Sequence, residues 1–233
     1  MRHLSAVALA INSPGGAPVQ SALIAKRIRD LAYEKKVPVY AFIEDVGASG
    51  GYWLALAADE IYAQPSSIVG SIGVVSGGFG FADAIEKLGI ERRLHTSGEK
   101  KAMLDPFGPE KPADVKHLQA LQKEIHEDFK AMVRDRRGER LKGNSRTVFS
   151  GAFWTGTKAL DLGLVDGLGD VRGVMRARFG DDVRLRPLDD LRPWWRRRLA
   201  LAATGAPTAG LGGLGDEILG AVEERLWWNR FGL

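Results

Sequence analysis

The 233-residue chain has no cysteine, which excludes disulfides, thiolate metal sites and a cysteine nucleophile. Long apolar runs are missing as well: nothing approaches the roughly 20 residues that a membrane-spanning helix needs. The first residues lead straight into a strand pattern with no signal peptide, so an upstream segment is expected. On these grounds the chain reads as soluble, either cytoplasmic or associated with a membrane at its surface. Basic blocks are also lacking. The 33 Lys and Arg residues nearly match 29 Asp and Glu residues, a balance that gives no footprint for nucleic acid. There is no His-Glu-x-x-His, no carboxylate-rich calcium loop and no phosphate-binding Gly-Lys-Ser/Thr loop. Gly77-Gly78-Phe79-Gly80 lacks the spacing of a dinucleotide fingerprint. No metal and no cofactor is expected.

What the chain does have is alternation. Strand-like runs at residues 4–11, 37–43, 60–63, 68–75 and 92–95 are interleaved with helical patterns at 19–34, after Ser49, and at 82–88. The run at 4–11 reads as a buried strand. The class is α/β. A long helix over 112–137 carries Leu118, Leu121, Ile125, Phe129 and Met132 in one apolar stripe and is closed by Gly138. That stripe suits either the sheet or a partner. A helix at 155–162, a turn-rich stretch at 163–169 and a helix at 171–179 complete a body assigned to residues 1–187. Residues 188–233 read as a tail: Trp194, Trp195, Arg196, Arg197 and Arg198, then a small-residue linker, then a short helix with Ile218, Val222 and Leu226. The aromatic and basic cluster suits peripheral membrane contact, but the small net charge of the final segment favours a C-terminal helix folding back on its own domain.

The chemistry concentrates around Ser49. Gly47-Ala48-Ser49-Gly50-Gly51 fits Gly-x-Ser-x-Gly, a strand-to-helix turn that exposes a serine hydroxyl where amides can face an oxyanion. A helix-capping serine in a glycine turn gives the same spelling. Ser13-Pro14-Gly15-Gly16 ends the first strand with free amides at the mouth of the sheet. Ser71 follows a strand in Gly70-Ser71-Ile72-Gly73, and Lys100 and Lys101 follow Ser97-Gly98 in a loop beside the apolar Met103, Leu104 and Phe107. A lysine serves as base only when neutral, which a dry pocket favours. His95, His117 and His126 also follow Ser49, so a Ser-His-Asp set with Asp59 or Asp83 stays open.

Together, Ser-Pro-Gly-Gly at 13–16, Ala-Ser-Gly-Gly-Tyr at 48–52, Ala-Ala-Asp-Glu-Ile-Tyr-Ala at 57–63, Gly-Ser-Ile-Gly-Val at 70–74, Ser-Gly-Glu-Lys-Lys at 97–101 and Gly-Leu-Val-Asp-Gly-Leu-Gly at 163–169 resemble the signal peptide peptidase A family. The resemblance implies the crotonase and Clp-protease-like fold of stacked ββα units. It further implies a serine endopeptidase using a Ser/Lys dyad on signal-peptide remnants or other short hydrophobic peptides. By the same resemblance Ser49 is the nucleophile, Lys101 the general base with Lys100 one residue early, and Ser71 the residue that orients the lysine. The resemblance also implies an oxyanion hole made by the amide of Gly15 or Gly16 together with that of Gly50. The family implies a homo-oligomer, a ring or dome in which neighbouring subunits can share sites. Relatives carry an N-terminal membrane anchor and earlier strands that this sequence does not display. A crotonase-like acyl-CoA enzyme, an α/β-hydrolase-type esterase and a non-catalytic scaffold are the competing readings.

Overall fold

The computed structural model describes residues 4–188, together with Trp228 and Phe231. The tail from 189 onward, including the tryptophan and arginine cluster and the expected last helix, otherwise lies outside the described residues. Contacts divide the chain into two compact units, Met1–Leu168 and Gly169–Leu233.

The first unit is built on strand β2, Val39–Ala48, whose residues are buried on both faces except at Glu44 and Asp45. Such burial marks a strand covered on both sides, as in parallel sheets flanked by helices. Strand β1, Val7–Ser13, pairs parallel to β2 from Val7↔Val39 to Ile11↔Ile43 and again at Ser13↔Gly47, with an irregularity between. On the other edge β2 receives two strands in succession. Strand β3, Glu60–Ala63, pairs with Tyr40 to Ile43, and strand β4, Ile68–Gly70, pairs with Val46 to Ala48, both parallel. Two short strands that the pattern does not predict complete the described sheet: β5, Phe153–Thr155, runs antiparallel to β4, and β6, Gly167–Leu168, pairs parallel to β3. The α/β class is as expected. β1 differs from expectation: only Ile11 of it is buried and among the described residues its other edge pairs with nothing, so it is an edge strand beginning at Val7.

Helix α1, Pro18–Lys35, begins with proline at a position whose N–H needs no partner. Helix α2, Gly50–Ala55, follows β2 directly and buries Tyr52 and Trp53. The Tyr52 hydroxyl donates to the Leu164 carbonyl at 2.7 Å. Burial pushes its pKa well above the ordinary phenol value, keeping that donor protonated. Helix α3, Ala82–Lys87, sits in an otherwise irregular stretch, and helix α4, Pro112–Arg137, is the long one. Its apolar stripe is not buried along its length: Phe129 stacks on Trp53 at 4.5 Å and Val133 is fully enclosed, whereas Leu121 is exposed. A short helix α5, Ser145–Val148, capped by the Asn144 side chain, and helix α6, Gly156–Leu162, capped by Thr155, lead into β6. In the second unit α7, Val171–Phe179, starts at the Asp170 cap.

Two expectations fail between residues 71 and 111. β4 ends at Gly70 instead of 75, because Ser71 turns to φ +52°; its N–H still donates to the Ala152 carbonyl, next to β5. Residues 92–95 form no strand and pair with none of the described strands. From 73 to 111 no residue is buried; α3, the Phe79, Phe81 and Phe107 rings, and Arg92 over Phe107 hold this arm together locally.

The C-terminal turn of α4 ties the layers together. Arg136 donates to the carbonyls of Leu56 and Ala58 at 2.8 Å each, satisfying groups at the end of α2 that lack helical partners. Arg137, 2% exposed, donates to the Gly163 carbonyl and to both oxygens of Asp166, which in turn accepts the Ile61 N–H at 2.7 Å. Burial works to raise the Asp166 carboxyl, but Arg137, the Ile61 N–H and Arg140 outweigh it and hold the pKa below the usual carboxylate range. Breaking such a pair leaves a buried charge unmatched, so Arg137→Leu is expected to lower unfolding free energy by about 3 kcal/mol in urea denaturation. Because the folded-state pKa is depressed, the Asp166 contribution is complete above the ordinary carboxylate pKa and is lost as pH falls through the folded value. In Asp166→Asn the acid-side loss of stability is expected to be smaller than in the wild type.

Candidate active site

Ser49 stands where β2 ends and α2 begins, with φ +51° and ψ −122°. A serine in this region is strained by about 1–3 kcal/mol and persists only where its surroundings fix it. Here the Ser49 N–H donates to the Gly70 carbonyl at 2.8 Å, and its own carbonyl accepts the Trp53 N–H at 3.0 Å. The turn projects a half-buried side chain above the carboxyl end of β2, the end at which open parallel sheets bind ligands. The Gly-x-Ser-x-Gly spelling thus corresponds to a strained strand-to-helix turn. The Ser49 side chain caps nothing, so the alternative of a simple helix cap fails.

The Pro-Gly-Gly turn lies directly against it. A Cβ placed on Gly15 would lie 2.9 Å from Ser49 Cβ, 3.2 Å from its Oγ and 3.3 Å from the Gly50 amide nitrogen. One placed on Gly50 would lie 3.1 Å from the Gly16 amide nitrogen, and one on Gly51 only 2.4 Å from the Ser13 carbonyl. These glycines are what let the two turns touch. The Gly15 N–H is turned toward Ser13 Oγ at 3.3 Å. The amides of Gly16 and Gly50 therefore offer the more available pair beside the serine.

Ser71 joins them through the sheet. Ala48 pairs with Gly70 across the β2–β4 ladder, so Ser49 and Ser71 are the next residues along two adjacent parallel strands. Ser71 is buried. Lys101 is not brought in: it sits exposed in a turn of the 73–111 arm, with its N–H on the Gly98 carbonyl at 3.1 Å. Its ammonium makes no hydrogen bond or ion pair among the described residues, and the same is true of Lys100.

Residues 32–179 match the sequence model of peptidase family S49. The chain belongs to this family. Two Brucella proteins, from B. abortus and B. melitensis, are each 52% identical to it over its full length, are named Na(+)/H(+) antiporter NhaA, and are covered over 32% of their own length. The chloroplastic serine protease SPPA of Arabidopsis thaliana is 30% identical over 94% of the chain and 31% of that protein. Protease 4 of Salmonella typhi is 32% identical over 72% of the chain and 26% of that protein. The chain thus spans about a third or less of these relatives. A 1510-N membrane-bound stomatin-specific protease superimposes with a TM-score of 0.42 at 17% identity, covering 74% of the chain and 68% of that structure.

Membership of S49 makes this a serine-peptidase family member, and the geometry disfavours the histidine alternative. His126 Nε2 lies 3.0 Å from the Ile72 carbonyl, an acceptor, so that nitrogen donates and cannot take a serine proton. His95 and His117 are exposed. Asp59 is committed elsewhere, accepting from the Val39 N–H at 2.9 Å and from Arg29 at 2.7 Å. Asp83 lies exposed on α3. The sequence reading missed His126 as a neighbour of the Ser71 turn, since nothing in its helix-face position signals a contact 54 residues away. Among the described residues there is no cluster suited to a metal ion and no helix long and apolar enough to cross a membrane.

Gly15 at φ +136° has neither the conformation nor the space for a side chain. Gly15→Ala is expected to lower kcat/KM for a peptide substrate about 100-fold by displacing Ser49. Gly77→Ala, with open space at its Cβ, should stay within about twofold of wild type, and a fluorogenic peptide assay compares them directly.

Proposed function

We propose that this chain is the catalytic domain of a serine endopeptidase that cleaves short hydrophobic peptides, signal-peptide remnants among them, by a Ser49 and Lys101 dyad. The observation that carries the reading is the strained Ser49 turn packed against the Pro-Gly-Gly turn, with Ser71 on the adjacent strand end. Ser49 Oγ attacks the peptide carbonyl while neutral Lys101 takes its proton. The oxyanion forms against the amides of Gly16 and Gly50, with Gly15 shaping the turn. Collapse of the tetrahedral intermediate breaks the C–N bond, the lysine returns the proton to the leaving amine, and water hydrolyses the acyl-enzyme. Ser71 orients the lysine amine.

Lys101 in this reading reaches Ser49 of a second copy. Its arm carries Val75, Phe79, Leu88, Ile90 and Leu94 exposed, with Phe79 at 80%, and Leu121 of α4 is exposed too. Such a concentration of apolar surface favours association, and docking would give the lysine the dry setting that its neutral form favours. The assembly is a closed ring or dome of identical copies. Peptidase chemistry is assigned to the region this chain represents. The antiporter name belongs to Brucella proteins of which this chain matches 32% of the length. Surface attachment through the Trp194 to Arg198 cluster fits a substrate supplied from a membrane.

Ser49→Ala and Lys101→Ala are each expected to reduce hydrolysis of a fluorogenic hydrophobic peptide by about 10³-fold or more at unchanged oligomeric size, and Lys100→Ala to leave it intact. Mixing the Ser49→Ala and Lys101→Ala chains is expected to restore activity that neither has alone. Full activity in Lys101→Ala would remove the lysine as base, and no recovery on mixing would place both groups in one subunit.

A further inference from the structure

Ser71 is a non-glycine residue at φ +52°, one residue past the end of β4. Three backbone contacts define its turn. The Ser71 N–H donates to the Ala152 carbonyl at 2.7 Å, the Gly73 N–H donates back to the Ser71 carbonyl at 2.9 Å, and the carbonyl between them, that of Ile72, accepts from His126 Nε2 at 3.0 Å. Ile72 is fully buried, and among the described residues no other group donates to its carbonyl. His126 is itself partly buried on α4, one turn before Phe129, whose ring lies against Trp53 of α2. A helix anchored on α2 thus sends one side chain to the turn that follows β4.

We propose that His126 is a positioning residue of the active site: through the Ile72 carbonyl it fixes the turn that carries Ser71, and so the hydroxyl that faces the base. This rests on the reading of Ser49 and Ser71 given above. The imidazole acts here as a donor and takes no proton from substrate or serine. Without it a buried carbonyl is left unpaired, and the strained Ser71 conformation loses one of the three contacts that determine it. The turn then relaxes toward ordinary φ values, and Ser71 Oγ moves with it. Displacements of this kind are felt in the chemical step more than in substrate binding.

A glutamine side chain can put its amide nitrogen close to the position of His Nε2, asparagine is too short to do so, and leucine fills the space without a donor. His126→Gln, His126→Asn and His126→Leu are compared with wild type, Ser49→Ala and Ser71→Ala in the full chain. Peptide hydrolysis, fluorophosphonate labelling of Ser49, thermal unfolding and oligomeric size are all measured. The expected result is a kcat at least about 10-fold lower in His126→Leu and His126→Asn with KM within about twofold, and a kcat within about threefold of wild type in His126→Gln. Should His126→Leu fail to fold, the Gln and Asn pair decides alone. Wild-type kcat in His126→Leu or His126→Asn would overturn the proposal, as would a His126→Gln variant no better than asparagine. If Ser49→Ala still hydrolyses peptide, the nucleophile reading falls and takes this proposal with it. If Ser49→Ala is inert while the His126 variants match wild type, the positioning role alone falls.

Discussion

The structure depends on how β2 changes neighbours halfway along its length. At Tyr40 to Ile43 its outer partner is β3, and at Val46 to Ala48 it is β4. The residues between, Glu44 and Asp45, are exposed and have no ladder partner on either edge. Two side chains brace this interval instead. Asn12 accepts the Val46 N–H at 3.0 Å and donates to Asp45 at 2.9 Å. The buried Ser67 hydroxyl donates to the carbonyls of Ile43, at 3.1 Å, and Glu44 while accepting the Gln64 N–H at 2.9 Å. Buried backbone groups must find partners, and here a side chain on β1 and one just before β4 supply them. The strand can then continue to Ala48, and Ser49 arrives beside the end of β4.

That arrival explains why strain can be held there. Positive φ at Ser49 and Ser71, on adjacent strand ends, costs free energy that neither turn recovers locally. It is offset by the packing of the helix that follows. Tyr52 and Trp53 are buried one turn into α2, Tyr52 bonded to Leu164 and Trp53 stacked on Phe129. The far end of α2 is held by Arg136. Arg137 and Asp166 then lock α4 to β3 and to the Gly163 turn. A six-residue helix has little stability of its own, so its rigidity is borrowed from α4 and the sheet.

Much of this was legible in the sequence because local rules sufficed. β3 occupies the residues its pattern predicts, and α4 begins at Pro112 and stops at Gly138, where proline and glycine mark helix ends. The Ser49 motif and its setting were readable because a glycine-flanked serine between a strand and a helix has few meanings. Other features depend on distant partners. The pattern predicts a strand over 37–43, whereas β2 continues to Ala48, with Asn12 bonded to the Val46 N–H and Ser67 to the Glu44 carbonyl. β5 and β6 exist because an edge of β4 and an edge of β3 await them, which no three-residue or two-residue sequence announces. The strand expected at 92–95 has suitable residues but pairs with no described strand of the sheet. The stripe on α4 was read as one surface, yet it divides into an enclosed half beyond Ile125 and an open half before it.

That division bears on how the serine and the lysine come together. The body holds Ser49, Ser71 and both turns among buried residues, while Lys101 rides an arm that buries none. Val75, Phe79, Leu88, Ile90, Leu94 and Leu121, all exposed, would each gain about 1.5–3 kcal/mol on full burial. Their sum is of the same order as the roughly 4–15 kcal/mol that association of two proteins costs. In the proposed assembly one event does two things: it removes that surface from water, and it carries a lysine from solvent to a serine whose geometry is already fixed. On that proposal an isolated subunit would keep a strained Ser49 without its base, and peptide hydrolysis would be confined to the assembled form.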